Sequence, residues 1–232
     1  MMNRPHTTVV LALSADGKIA DVARKAAEFS SSIDRAHLER QVAEADAILF
    51  GAGTLRAHGS AMSLRNSDLI AARNQQQKPD QPLQIVCTRS GNIPTEIRFF
   101  QQKIPRWLLT TKQGAKQWEN QNLKSTSRFD EIITFETANQ EIDWEKTLSE
   151  LKNKGIENLA VLGGGELVAA LFQQQLLDEL WLTICPVLLG GKNAPTAIEG
   201  IGVSAENAQQ LKLLSVETID QEVFLHYSIA RE

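Results

Sequence analysis

Apolar residues in this chain fall into short solid runs and into four-three spacings, and each pattern predicts an element. Val9-Val10-Leu11-Ala12-Leu13 is a solid run, which predicts a strand over residues 7–13 covered on both faces. Asp16-Gly17 ends it with turn chemistry. Leu38, Val42 and Ala45 are spaced by four and three, so a helix is expected over 34–45, with Asp34 read as its N-cap. A second strand, 47–51, follows at once. Strand–helix–strand is the unit of a parallel sheet.

The segment NQQQKPDQP, 74–82, is polar and holds two prolines, so it reads as an exposed loop. Strands are expected at 82–87 and 107–110, with a fifth, edge-like one at 131–135. Asp143 is placed to cap a helix with Trp144, Leu148 and Leu151 on one face. A buried strand over 158–162 runs into three glycines and then a helix over 166–174. A strand over 179–186 follows. Two more, 211–217 and 222–229, flank Ile219-Asp220-Gln221 like an antiparallel hairpin. The expected fold is α/β: one domain, 1–232, with a mixed, mostly parallel sheet flanked by helices and an antiparallel hairpin at the C-terminal end.

Composition narrows the partners. Hydrophobic residues make up 42% of 232, enough for a core. The net charge of -4 gives no broad attraction for nucleic acid or anionic membrane. No apolar run approaches the roughly 18 residues of a membrane span, and Met-Met-Asn-Arg-Pro lacks an apolar leader region. A cytoplasmic protein is expected. Cys87 and Cys185 each sit in an apolar run and are expected to be buried free thiols. Neither a disulfide framework nor a metal site is expected.

The strongest chemical signal is Gly163-Gly164-Gly165 between a buried strand and the helix opening at Glu166-Leu167. Glycines admit close ligand approach, and a helix start offers free N–H groups to an anion. A pyrophosphate cradle and a tight strand-to-helix turn both fit. Gly51-Ala52-Gly53-Thr54 also follows a strand, but Arg56 stands where a dinucleotide fingerprint needs a small residue. It reads as a loop at the ligand-binding edge of a parallel sheet, or as a plain turn. Ser14 to Ile19 is better read as a turn capped by Asp16. Among the four histidines only His58, after Thr54, lies near a candidate site. His37-Leu38-Glu39 mimics half of a zinc deaminase signature whose second half is absent.

Three of these segments, in this order, resemble the riboflavin-biosynthesis pyrimidine reductases, meaning the C-terminal reductase domain of bacterial RibD and the stand-alone archaeal and fungal enzymes. The resemblance rests on Arg4-Pro5 through Ser14-Ala15-Asp16-Gly17-Lys18-Ile19-Ala20, on Ala45 through Thr54, and on Val161 through Leu167. Leu177-Asp178-Glu179-Leu180 and Pro186 through Thr196 extend it. It implies a dihydrofolate-reductase-like fold, a homodimer, NADPH as hydride donor, and a ribosylamino-pyrimidine 5′-phosphate reduced at ribose C1′. By position it implies cofactor contacts at Ala12, Thr54, Arg89, Ser90 and Gly163 through Leu167. Arg89 and Ser90 match the position near the adenosine 2′-phosphate. Arg65, Met62 and Leu162 fall on the substrate side.

That side departs from the family. Leu162 stands where a glutamate is usual, His58-Gly59-Ser60 where Asp-Asp-Pro is usual, and Val10 where a polar residue is usual. Lost hydrogen-bonding groups discriminate against the ligand that needs them, which points to a different natural substrate. His58 is the candidate proton donor. Reduction of a pteridine-like heterocycle and an NADPH-binding module without turnover are the alternatives.

Overall fold

The computed structural model describes residues 3–25, 29–121, 128–139 and 141–230. Met1 and Met2, on which the leader reading partly rests, lie outside the described residues. The chain forms two compact units. The first is built on Val42–Leu159, the second on His6–Gln41 and the chain from Ala160 onward.

In the first unit β2 (Ala47–Gly51), β3 (Leu83–Cys87), β4 (Arg106–Thr110) and β5 (Glu131–Thr134) pair in parallel, in the order β5-β4-β3-β2. Their solid apolar runs are the reason: Ile48, Leu49, Ile85, Val86 and Leu108 are all fully buried. β5 is the edge, as its sequence suggests. Asp46 ties the start of β6 (Asn158–Val161) to this ladder by accepting from the N–H groups of Glu157 and Asn158 at 2.9 and 2.8 Å. Asp143 caps α5 (Trp144–Asn153) by accepting from Lys146 N at 3.1 Å, and Trp144, Leu148 and Leu151 are buried as expected. Phe99, Phe100, Trp118 and Phe129 form an aromatic cluster with centroids 5.0–6.1 Å apart. The Arg106 and Arg128 guanidiniums lie over it, 5.3 and 5.5 Å from the nearest ring centres.

Three helices go beyond the sequence reading: α2 (Ala52–His58), α3 (Ser67–Gln75) and α4 (Lys112–Gln121). Each anchors through one or two buried residues, too few for an apolar stripe. α3 even buries an arginine. Arg73 donates to the carbonyls of Ala43, Ala45 and Pro79 at 2.6–2.8 Å. The polar 74–82 segment therefore begins as the last turn of a helix.

In the second unit the order is β1-β7-β9-β8, with β1 (His6–Ser14), β7 (Glu179–Cys185), β9 (Glu222–Ile229) and β8 (Leu211–Ile219). β1 and β7 are parallel and set Ala12 opposite Thr183 and Ser14 opposite Cys185. β9 is antiparallel to both β7 and β8, which makes the expected hairpin, with Asp220 at its turn at φ 52°. β8 is an outer strand, and Leu211, Leu213, Leu214 and Val216 on it are exposed. α1 (Ser32–Glu44) begins earlier than expected. Ser31 is its cap: its hydroxyl accepts from Ile33 N and Asp34 N at 3.0 and 3.1 Å. Asp34 lies in the first turn and is buried, as is His37, whose ring is 4.8 Å from Trp181 and 5.1 Å from Phe224.

Candidate functional site

In the first unit the site residues lie at the C-terminal ends of β2 and β3. Gly51 precedes α2 without a side-chain cap, and Thr54, half-buried, lies in its first turn. His58 is the last residue of α2, before Gly59 at φ 67°. Its ring is exposed, yet neighbouring atoms displace enough water to lower its pKa. Met62 is half-buried and Arg65 exposed in the irregular chain leading to α3, which Asn66 caps.

Past β3, the Arg89 carbonyl accepts from the Thr111 hydroxyl at 2.9 Å, and the chain then passes α4 closely. A Cβ on Gly91 would come within 2.1 Å of the Gly114 carbonyl oxygen, so a glycine is needed there. This packing frames a cavity of about 300 Å³ lined by Arg89, Ser90, Thr111, Gln113, Gln117 and Glu141, among others. Arg89 Nη1 is 2.5 Å from Glu141 Oε1, and both side chains are mostly solvent-facing. The structure thus brings Arg89 and Ser90 into one cavity. Its Gln113 and Gln117 were missed because α4 was missed, and Thr111 because it lies just past the strand expected at 107–110.

In the second unit β6 runs through half-buried Leu162 into the glycines. The Gly163–Gly164 peptide is cis, and Gly163 has φ 88°. No side chain caps α6 (Gly165–Gln173). A Cβ on Gly165 would come within 2.3 Å of the Thr196 carbonyl oxygen, and Glu199 N donates to Gly165 O at 3.1 Å. Gly165 therefore also answers to packing. Glu166 is exposed, whereas Leu167 belongs to the core. The Glu199 carboxylate reaches the same helix start and pairs with Arg24 at 2.9 Å.

Ala12 is half-buried near the end of β1. Just beyond, Asp16 accepts from Ser14 Oγ at 2.7 Å, Leu189 N at 3.0 Å and Gly190 N at 2.7 Å. These donors, Leu189 first, lower its pKa to about 2. Asp16 is a latch for the 186–191 loop, in line with its reading as a turn cap.

Both thiols are free. Cys185 is buried as expected, but Cys87 is only half-buried, because it sits where β3 gives way to the Thr88–Ser90 turn. Sequence reasoning missed a polar cluster around Cys185. Glu222, 4% exposed, accepts from Ser31 N at 3.0 Å, Ser31 Oγ at 2.5 Å and Cys185 Sγ at 3.5 Å. Asp34, 6% exposed, lies beside it. Burial raises the Asp34 pKa, hydrogen bonds from Thr183 and Ser30 restrain it, and the Glu222 charge raises it further. These partners come from distant sequence positions, so no local motif exposes them. No group of three or more metal-ligating side chains occurs among the described residues.

The family model described as RibD C-terminal domain matches residues 5–225. A 2,5-diamino-6-ribosylamino-4(3H)-pyrimidinone 5′-phosphate reductase from Archaeoglobus fulgidus is 30% identical over 197 residues, covering 85% of this chain and 87% of that one. A pyrimidine reductase-like protein from Corynebacterium diphtheriae superposes with a TM-score of 0.84 at 18% identity, over 99% of this chain and 94% of that one. Enterococcus faecalis dihydrofolate reductase, complexed with NADP(H), gives 0.53 at 12% identity, over 100% and 99%. The two structures are similar in fold.

Proposed function

Because the chain belongs to the RibD C-terminal domain family, we propose that it performs the reduction for which its Archaeoglobus relative is named. The substrate is then 2,5-diamino-6-ribosylamino-4(3H)-pyrimidinone 5′-phosphate, reduced at ribose C1′ with NADPH as donor. The observation that carries this reading is the match along nearly the whole chain to a relative of the same length class.

The residues present suit a nicotinamide dinucleotide. In the first unit the Arg89 cavity gathers a guanidinium, hydroxyls and amides, the donor set that recognises a ribose phosphate. In the second unit the uncapped start of α6 favours an anion. When bound, the nicotinamide would supply the hydride. The protein's part is to hold the reacting carbons together and exclude water. Ala12 would contact the nicotinamide end through its backbone, Thr54 would bind by its hydroxyl, and Gly163 through Leu167 would cradle the pyrophosphate. Arg65, Met62 and Leu162 would face the substrate, with Arg65 on its phosphate. His58 is the proposed proton donor on the α2 side.

Residues 1–232 act as one reductase domain in this proposal, in the cytoplasm and as a homodimer. The exposed leucines of outer strand β8 are what a second copy would cover. No described helix is long and apolar enough to cross a membrane.

Loss of NADPH absorbance with the pyrimidine substrate, run beside NADH, tests the reading. Leu162 favours a second one, a changed substrate, because an apolar side chain replaces the usual glutamate. Efficient turnover of the riboflavin precursor removes that second reading. Turnover of a pteridine instead supports it. Thermal protection by NADPH with no turnover on any candidate identifies a binding module.

A further inference from the structure

A cation that recognises a phosphate must be free to pair with it. In the first unit the wall of the Arg89 cavity carries one cation and one carboxylate among its described residues, Arg89 and Glu141, and the two are already joined. The inference rests on the reading above, in which this cavity takes the adenosine 2′-phosphate of NADPH. We infer that Glu141 sets the selectivity of the site: its carboxylate holds the Arg89 guanidinium and competes with the 2′-phosphate for it.

Both ends of the pair are anchored through the backbone. The Thr111 hydroxyl accepts from Gly114 N at 3.0 Å, capping α4, and donates to the Arg89 carbonyl at 2.9 Å. The base of Arg89 is thereby fixed against the helix start. On the other side Glu136 and Ile142 form an antiparallel bridge, and Thr137 N donates to the Glu141 carbonyl at 2.8 Å. Glu136 ties this turn to α4, because its carboxylate accepts from Lys112 N at 2.9 Å and lies 3.5 Å from Lys112 Nζ. Lys112, at the same helix start, is therefore also paired. Arg89 and Glu141 meet from two anchored segments, with Nη1 donating to Oε1 at 2.5 Å.

Charge decides what the pair does to a ligand. Ser90, Gln113 and Gln117 add hydroxyl and amide groups without charge, so the described lining is neutral as a whole. A phosphate monoester carries about −1.5 to −2 charges at neutral pH and three strong acceptor oxygens. It can draw the guanidinium away from a single carboxylate. Glu141 then stays in the same wall as an unpaired like charge, which raises the dissociation constant of the ligand. A cofactor with a 2′-hydroxyl brings no such charge and leaves the pair in place. Glu141 therefore narrows the gap between the phosphorylated and the unphosphorylated cofactor. Both side chains are mostly solvent-facing, so water screens the effect and holds it to roughly tenfold.

Calorimetric titration of the full chain with adenosine 2′,5′-bisphosphate and with adenosine 5′-monophosphate tests this without turnover. Glu141→Gln is expected to bind the bisphosphate roughly tenfold tighter than wild type does. Its affinity for the monophosphate stays the same, which also reports an intact fold. In Arg89→Leu the bisphosphate loses its advantage over the monophosphate, and adding Glu141→Gln to that variant restores none of it. The role of Glu141 alone is overturned if Arg89→Leu weakens the bisphosphate while Glu141→Gln leaves it unchanged or weaker. It is overturned equally if Glu141→Gln tightens the monophosphate as much, or gains as much on the Arg89→Leu background. If neither wild type nor Glu141→Gln prefers the bisphosphate and Arg89→Leu changes nothing, the 2′-phosphate reading of the cavity fails and this role fails with it.

Discussion

The interiors of the two units are built from different materials. The first packs Ile85, Leu108 and Phe99 without exposure and clusters four aromatic rings beneath two guanidiniums. Arg73, the one fully buried cation among its described residues, spends its donors on backbone carbonyls, not on a carboxylate. The buried atoms it leaves unpaired include the neutral Gln84 Oε1 and Thr147 Oγ1. The second unit buries Asp34, Glu222 and His37 and stacks His226 on Trp181 at 3.8 Å, with His226 Nε2 2.9 Å from Glu179 Oε2. Apolar burial and carbonyl contacts do not change with pH, whereas buried acids and imidazoles do. The first unit is thus a scaffold, and the second holds protons in its core.

The largest effect that can break this contrast is in the aromatic cluster. Phe99→Ala is expected to cost about 3–5 kcal/mol in urea unfolding, by lost transfer energy plus the cavity, and by the same amount at pH 5 and pH 8. A pH-dependent loss would mean that charge matters in the first unit too. Next is Arg73→Met, expected to cost about 3 kcal/mol because buried carbonyls lose a charged donor. It should be measured by the same titration.

A smaller effect sharpens the other side. The pKa of His37 lies below its ordinary value, so the unfolded chain takes the proton first. Stability is full above about pH 6.5 and falls as pH drops toward 4, by on the order of 2 kcal/mol. His37→Leu should flatten that acid limb. The smallest effect belongs to exposed Asp16. Its lowered pKa gives a contribution present above the ordinary carboxylate range and lost as pH falls toward 2. Asp16→Asn should speed amide exchange at Leu189 and Gly190 while leaving the unfolding midpoint almost unmoved.

Strands were the legible part of this chain. Solid apolar runs such as Ile48-Leu49-Phe50 can be satisfied only between neighbours in a covered sheet, and all nine described strands were anticipated to within about two residues at either end. Helices α2, α3 and α4 were illegible for the opposite reason: each is fixed by one or two buried residues, such as Arg73 or Trp118, with no periodic stripe. Asp34 shows a third limit. A short polar residue at the head of a helix suits a cap, and only the fold reveals that Ser31 takes that role and frees Asp34 to face Thr183. On the candidate site, the glycines were visible because few residues tolerate their backbone. The wall of the Arg89 cavity was not, because it is assembled from a helix and a turn far along the chain.

The pairing of β1 with β7 sets an order on folding. Thr8 finds its register partner at Glu179, while residues 42–159 of the first unit lie between them. On the ribosome the first unit can close while β1 still lacks β7, because synthesis at about 5–20 residues per second delays β7 by many seconds. During that wait the side of Val9 through Leu13 that β7 covers is open, the kind of edge that recruits other chains. Chaperone dependence should therefore concentrate on the first thirteen residues. A circular permutant that starts at residue 175, in the turn between α6 and β7, and so places β7 before β1 should escape most of it.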